Sequence, residues 1–339
     1  MKMLYAVQGT GNGHLSRARD IIPILKKHGK VDILISGTQA DVQLEHEITY
    51  QFHGISFIFG KKGGIDLLKT FLHLKLFSFF KDVLRLQVRQ YDLIINDFEP
   101  VTAWACKLRG KFSIGLCHQA AVIHDYAPKA NKTDALGSYI LKHYAPASIH
   151  YGFHFRPYAD KIFTPVIRNE IRKLVPNNAN HYTVYLPAIG VPRIIKMLRN
   201  IEVHWQVFSK HATQPYVEGN IHIMPVSNKG FMKSIASATG IICGAGFEGP
   251  AEALFLGKKL LVVPMKGQFE QQCNAAALHE LGVPVMDRFA KHNLHLIKDF
   301  VSNSQHIAVN YPNQTHTIID LIVERHAFSY AEATALSGS

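Results

Sequence analysis

Residues 243–276 carry a dense set of groups able to bind a phosphorylated, polyhydroxylated ligand. Cys243-Gly-Ala-Gly-Phe-Glu-Gly-Pro-Ala-Glu252 runs from an apolar segment at 240–243 through a glycine turn into a helix. A second apolar run, 260–263, ends at Pro264 and is followed by Gly267-Gln-Phe-Glu-Gln-Gln-Cys-Asn274, which opens another helix. Open parallel sheets bind ligands beyond the carboxyl ends of their strands. A helix N-terminus offers phosphate unpaired N–H groups and the positive end of a dipole. Gly244 and Gly246 let backbone approach such a ligand, and Glu252, one turn inside its helix, could accept both ribose hydroxyls. Glu270, Gln271, Gln272 and Asn274 offer donors and acceptors suited to sugar hydroxyls. Taken singly, Gly257 and Pro264 only punctuate an αβα repeat. The combination reads as a nucleotide-sugar donor site.

A second glycine-rich loop, Gln8-Gly-Thr-Gly-Asn-Gly-His14, follows the first apolar run and opens a helix that carries Ser16, Arg17 and Arg19. A dinucleotide site would place a glycine where His14 stands and an acid at the end of the second strand, whereas Asp32 begins that strand. NAD is thereby reduced to a minor alternative.

Residues 240–276 resemble the donor-binding half of two-domain (GT-B) glycosyltransferases, particularly the family 28-like lipid-linked N-acetylglucosaminyltransferases of peptidoglycan synthesis and related glycosyltransferases. The rest of the chain is similar to them more loosely. The resemblance implies a nucleoside-diphosphate sugar donor, a UDP-sugar first, and transfer to an acceptor hydroxyl with inversion at the sugar carbon. Gly9, Thr10, Gly11, Asn12 and Gly13, leading to His14, look like that family's first loop, which borders the cleft between donor phosphates and acceptor. A histidine there can take the proton of an acceptor hydroxyl, because its unperturbed pKa of about 6.5 lies close to working pH. The plainer alternative is a histidine at a helix start that binds phosphate or caps the loop. Asn96-Asp-Phe-Glu-Pro100 ends another strand, so Asp97 should emerge at the same edge to orient His14, to act as base itself, or to cap the helix near Pro100. Cys117-His-Gln119 resembles the family's acceptor-side loop, which makes His118 and Gln119 candidates for positioning acceptor or donor. The chain departs from the family at Tyr185-Leu-Pro-Ala-Ile-Gly-Val-Pro192, where a glycine- or serine-rich phosphate loop is expected.

These groups must be placed by a large scaffold. At 339 residues the chain exceeds what one core organises, and domains of about 150 residues are expected. Apolar runs at 2–7, 31–36, 56–59, 92–96 and 112–117 read as strands, alternating with helices at 14–28, 65–89 and 100–109. A helix at 135–149 and the aromatic segment 151–158 follow, and then a second strand set at 161–164, 181–186, 203–208, 221–224, 240–243 and 260–263. The expected α/β fold is two Rossmann-like domains facing across a cleft, 1–155 on the acceptor side and 156–312 on the nucleotide-sugar side. A last helix at about 313–330 is expected to pack back on the first domain.

With 47% hydrophobic and 18% charged residues the chain reads as globular, apart from the small-residue tail at 331–339. Cys106, Cys117, Cys243 and Cys273 lack metal or redox spacing and read as reduced thiols of a cytoplasmic protein. Residues 1–8 lack the regions of a signal peptide, and no uncharged apolar run is long enough for a spanning helix. Among 20 histidines no spacing matches a metal set, so metal-independent chemistry without a cofactor is expected.

The formal charge of +12 attracts phosphates and anionic lipid, while missing zinc-finger and RNA-binding patterns argue against nucleic acid as the main partner. Leu68, Leu72, Leu76, Phe79, Val83 and Leu86 form one helical stripe suited to packing on a sheet. Leu67, Phe71 and Leu74 lie opposite with Lys81 and Arg85, a face suited to a membrane surface or to burial in a second contact. A lipid-linked or glycan acceptor, and a peripheral position on the inner membrane face, are the corresponding expectations. A nucleotide-sugar epimerase and a non-catalytic nucleotide-sugar-binding protein are the alternatives.

Overall fold

The computed structural model describes residues 1–10, 12–37, 44–55, 76–130, 134–304 and 306–337, the side chains of 328–337 excepted. In chain order the first elements are β1 (Lys2–Gln8), α1 (Asn12–His28), β2 (Lys30–Ser36), β3 (Tyr50–Phe52), α2 (Leu76–Arg85), β4 (Leu93–Asp97), α3 (Pro100–Arg109), β5 (Ile114–Cys117), α4 (His118–Val122), α5 (Ala135–His143), β6 (Ile149–Phe153) and β7 (Ile162–Phe163). Then come α6 (Asn169–Arg172), β8 (His181–Tyr185), α7 (Val191–Leu198), β9 (His204–Ser209), β10 (Tyr216–Glu218), β11 (Ile221–Pro225), α8 (Asn228–Ser237), β12 (Gly240–Gly244) and α9 (Glu248–Phe255). The chain finishes with β13 (Lys259–Val263), α10 (Phe269–Glu280), α11 (Leu294–Ser302) and α12 (Thr315–Ser337).

The strands form two sheets, ordered β3-β2-β1-β4-β5-β6-β7 and β10-β11-β9-β8-β12-β13. All neighbours run parallel except the β10–β11 hairpin. Parallel strands covered on both faces read as continuous apolar runs, and Met3, Leu4, Tyr5, Ala6 and Val7 of β1 are all buried. Strand order reverses between β1 and β4 in the first sheet and between β8 and β12 in the second. Such switch points open crevices at the carboxyl strand ends. His14 stands near the start of the helix after β1, Asp97 ends β4, and Gly244 ends β12 with Gly246 in the loop that follows.

Several elements differ from the sequence reading. The helix expected at 135–149 stops at His143 because Pro146 follows and disfavours helix in the residue before it. Residues 149–153 instead pair with β5 as β6, so the aromatic segment at 151–158 begins as a strand. Residues 162–163, assigned above to the second strand set, pair with β6 in the first sheet, a two-residue contact with no periodicity of its own. The strand at 56–59 and the 65–75 part of the long helix lie outside the described residues, and the described helix ends at Arg85. On it Phe79 and Val83 are buried as the stripe requires, whereas Leu76, in the helix's first turn, is exposed.

Glu99, not Asp97, caps α3, its carboxylate accepting the Val101 and Thr102 N–H groups at 2.6 Å each. Pro100 takes the first helical position, where no N–H is needed. The helix α12 returns to the first sheet's helical layer: His28 Nε2 meets Asp320 Oδ1 at 2.7 Å, and Tyr151 pairs with His326 at 2.9 Å. All four cysteines are buried and free.

Candidate active site

The first loop turns tightly out of β1. Gly9 N–H donates to Ser36 O at 2.6 Å, and a Cβ on Gly9 would meet Ile35 at 2.8 Å, so a side chain would push β1 and β2 apart. Gly13 is constrained from the other side of the cleft, because a Cβ there would sit 2.3 Å from Glu248 Oε2. Thr10 accepts from Gln8 Nε2 at 2.7 Å, and Gly11 lies outside the described residues.

His14 opens α1 with its ring in the cavity wall. Its Nδ1–H donates to Asp97 Oδ1 at 2.8 Å, which leaves Nε2 facing the cavity with its lone pair. Gln119 Nε2 approaches that nitrogen at 3.4 Å and donates to Glu270 Oε2 at 3.1 Å. Asp97 is 0% exposed, and Arg17 engages both of its oxygens, Nη2 at 2.7 and 2.8 Å and Nε at 3.1 Å. Burial works to raise the Asp97 pKa, but the charge of Arg17, then His14, outweighs it and holds the carboxyl below its usual range. Of the three roles open to Asp97 in the sequence, orienting His14 fits this geometry. A carboxylate with no exposed surface does not reach an acceptor.

Phe98 follows Asp97 with φ of 58°, a conformation that costs a bulky residue energy and that clusters at functional sites. The turn aims its ring at the cavity, parallel to the His14 ring with centroids 6.3 Å apart and 4.8 Å from Tyr144.

His118 is buried, and both ring nitrogens face protein oxygens: Phe153 O and Asn274 Oδ1, each at 2.8 Å. Its ring stacks on Phe247 at 3.8 Å, and burial lowers its pKa. His118 therefore ties the β5 end to α10 and does not present a free nitrogen to a ligand. Asn274, expected to touch the donor, is wholly buried; it joins His118 and Ala245 O and contributes no surface to the cavities. Gln272 donates to Met265 O at 3.0 Å and shapes the loop after β13 instead of lining the cleft. Gln271 accepts from Met265 N–H at 2.9 Å and lines both cavities, and Glu270 lines the one beside His14.

Two adjoining cavities of about 580 and 550 Å³ share several lining residues, among them Asn12, Gly13, Tyr185, Phe247, Glu248 and Gln271. The first opens on His14, Phe98, Gln119 and Glu270. The second opens on Gly244, Arg168, Asn228, Phe231 and Glu252. Between them lies the N-terminus of α9, whose unpaired N–H groups favour an anion. Glu252 is bound by Arg168, Nε to Oε1 at 2.5 Å and Nη2 to Oε2 at 2.9 Å, and burial raises its pKa despite that cation.

Sequence reasoning missed Arg17, Phe98, Glu248 and Arg168. Arg17 carried one signal, its three-residue spacing from His14 on a helix face. Arg168 precedes a four-residue helix in a connecting segment and carried none. Among the described residues no group of three His, Cys, Asp or Glu side chains is arranged to hold a metal ion.

Two Rossmann-like sheets whose switch points open on one cleft define the GT-B fold. The chain belongs to glycosyl transferase family 1, whose model matches residues 1–304. No curated protein matches its sequence. MurG of Acinetobacter baumannii shares the fold at 18% identity and a TM-score of 0.60, the match covering 95% of this chain and 99% of that one. A Polygonum tinctorium UDP-glucosyltransferase capable of glucosylating indoxyl matches at 12% identity and a TM-score of 0.59, over 100% of this chain and 98% of that one. Arabidopsis thaliana UGT89C1, solved with UDP-L-rhamnose, matches at 10% identity and a TM-score of 0.56, over 99% and 98%.

Proposed function

We propose that the enzyme moves a sugar from a nucleoside-diphosphate donor, a UDP-sugar first, to an acceptor hydroxyl with inversion at the sugar carbon. The observation that carries this reading is the His14–Asp97 pair, whose second imidazole nitrogen, 3.4 Å from Gln119 Nε2, belongs to the wall of the cavity that adjoins the α9 N-terminus. His14 Nε2 takes the acceptor proton as the acceptor oxygen bonds to the anomeric carbon. The bond from that carbon to the diphosphate oxygen breaks, and the electron pair leaves with the nucleoside diphosphate. The α9 N-terminus offsets the charge that develops on the leaving group, so no metal is required. Gly244, Gly246 and Glu252 border the nucleotide, while Glu270 and Gln271 hold the transferred sugar. Residues 1–155, together with β7 at 162–163, then serve as the acceptor side and the remainder of 156–312 as the donor side. UDP-sugar complexes of structural neighbours support the donor class.

The acceptor is a lipid-linked or glycan alcohol presented to a cytoplasmic enzyme at an anionic membrane surface. This part rests on α2, where Phe77 is 89%, Phe80 56% and Leu84 65% exposed along one stripe beside Lys81 and Arg85. The residues 67, 71 and 74 named above for that face lie outside the described part of the chain, and no described helix is long and apolar enough to cross a membrane. Sedimentation with anionic liposomes should retain the wild type and release Phe77→Glu; a protein that never binds such liposomes removes the membrane from the proposal.

The direct test is incubation with a panel of nucleotide sugars and a lipid extract, read by mass spectrometry. Extract-dependent release of nucleoside diphosphate is expected. An isomerised donor would point to epimerisation instead, and an intact one to binding alone.

A further inference from the structure

Arg17 stands at the centre of a charged chain that crosses the cleft. Its side chain is 2% exposed, and every nitrogen of the guanidinium is engaged. Nε and Nη2 hold Asp97, Nη1 donates to Glu248 Oε1 at 2.8 Å, and Nη2 lies 3.2 Å from His14 Nδ1. Glu248 belongs to the first turn of α9, beyond the second sheet, whereas His14, Arg17 and Asp97 belong to the first. The Glu248 carboxylate rests against Gly13, where any β-carbon would collide with it. If the two halves separated, this contact and the Arg17–Glu248 ion pair would break together, and Arg17 would be left holding Asp97 alone.

We propose that Arg17 is a positioning residue for the transfer reaction and that its ion pair with Glu248 makes alignment of the His14–Asp97 pair depend on closure of the cleft. The proposal rests on the sugar-transfer reading above and adds a residue and a coupling that the reading does not need. Arg17 acts on Asp97, not on substrate. It supplies the charge that lets a wholly buried carboxylate stay ionised and accept the Nδ1–H of His14, which keeps the lone pair on Nε2. The other titratable groups facing Asp97 are Tyr5 on β1 and Cys117 on β5, both buried and both neutral, because burial raises their pKa values. Arg17 is therefore the cation that holds this charge, and His14 meets it as an Nδ1–H donor.

The test compares Arg17→Met, Arg17→Lys, Glu248→Gln and the double variant Arg17→Met/Glu248→Gln. Glu248→Gln should fold, because its side chain is 28% exposed, and should lower kcat about tenfold through misplacement of the base. The same change made in Arg17→Met should have no further effect, since the two act through one chain. Arg17→Met should move the acid limb of the kcat profile to higher pH, because Asp97 loses the cation that keeps it ionised and takes up a proton sooner; Arg17→Lys should restore the limb in part. A merely structural Arg17 would lower the yield of folded enzyme without moving the limb. In the NMR spectrum of the intact protein, the downfield His14 Nδ1–H signal of the carboxylate bond should weaken in Glu248→Gln and vanish in Arg17→Met. That reading needs no turnover, so loss of the signal in an enzyme that transfers no sugar would contradict the proposed reaction and leave Arg17's role standing. Retention of the signal in both variants, or additive effects in the double variant, would overturn the inference.

Discussion

His14 Nδ1 and Asp97 Oδ1 lie 2.8 Å apart across the first sheet's switch point, one at the start of α1 and the other at the end of β4. The carboxylate fixes which nitrogen carries the proton, and so decides that the lone pair faces the cavity.

Asp97→Asn should therefore act through the tautomer. An amide that donates toward Nδ1 forces the proton onto Nε2, and turnover should fall on the order of ten-thousandfold, as when the acid of a buried acid–histidine pair is neutralised. Donor affinity, measured by calorimetry, should change little, because Asp97 has no surface in either cavity. A variant that keeps wild-type turnover would remove the orienting role.

Glu252→Ala should affect fold and ligand together. It strands a largely buried Arg168 guanidinium, and breaking a buried pair from one side costs about 3–5 kcal/mol. Glu252→Gln keeps a hydrogen-bond acceptor and should lose less. In the glutamine variant, which remains folded, UDP-sugar affinity should still drop about tenfold if the carboxylate accepts ribose hydroxyls. Urea denaturation and donor titration separate the two effects, and unchanged affinity would take Glu252 out of the donor site.

Phe98 predicts a reversal of the usual glycine penalty. At φ of 58° any side chain costs about 1–2 kcal/mol that glycine does not pay. Phe98→Gly should thus be more stable than Phe98→Ala, whereas on a helix or strand the order would be opposite. Both should transfer sugar more slowly, having lost the ring beside His14. Equal or inverted stabilities in urea would mean that the turn does not hold this conformation.

A buried histidine sets a pH dependence. Burial lowers the pKa of His154 well below the usual range, so it is neutral in the fold. The unfolded chain takes up its proton below about pH 6.5, and stability must then fall as pH drops, by up to about 1.4 kcal/mol per unit. The urea midpoint should decrease between pH 7.5 and 5.5, and His154→Gln should decrease less. A midpoint that holds or rises at pH 5.5 would contradict the assignment of a neutral imidazole.

Much of the architecture was legible because its signals are local. Buried parallel strands such as β1 and β13 are unbroken apolar runs, and the glycine turns before His14 and after Cys243 announce the switch points. Elements held only by tertiary contact were not legible: β3 and β7 are three and two residues long, too short for any period. The site divides in the same way. His14, Gln119, Glu270 and Gln271 are aligned by strand ends and helix starts, and they gather around one cavity. Asn274 and Gln272 share the same helix start, yet the turn of the helix sends them to the protein interior and to the Met265 carbonyl. Arg17 and Arg168 were invisible as site residues because their partners, Glu248 and Glu252, are 231 and 84 positions away.

The most direct measurement is single-turnover mixing of wild type and His14→Ala with a UDP-sugar and acceptor extract, following bound donor and released UDP separately. The wild type should bind donor and release UDP only with the extract present, while His14→Ala should bind donor equally and release UDP at least a hundredfold more slowly. Wild-type release rates in His14→Ala, or a wild type that binds no nucleotide sugar, would contradict a transferase with His14 as its base.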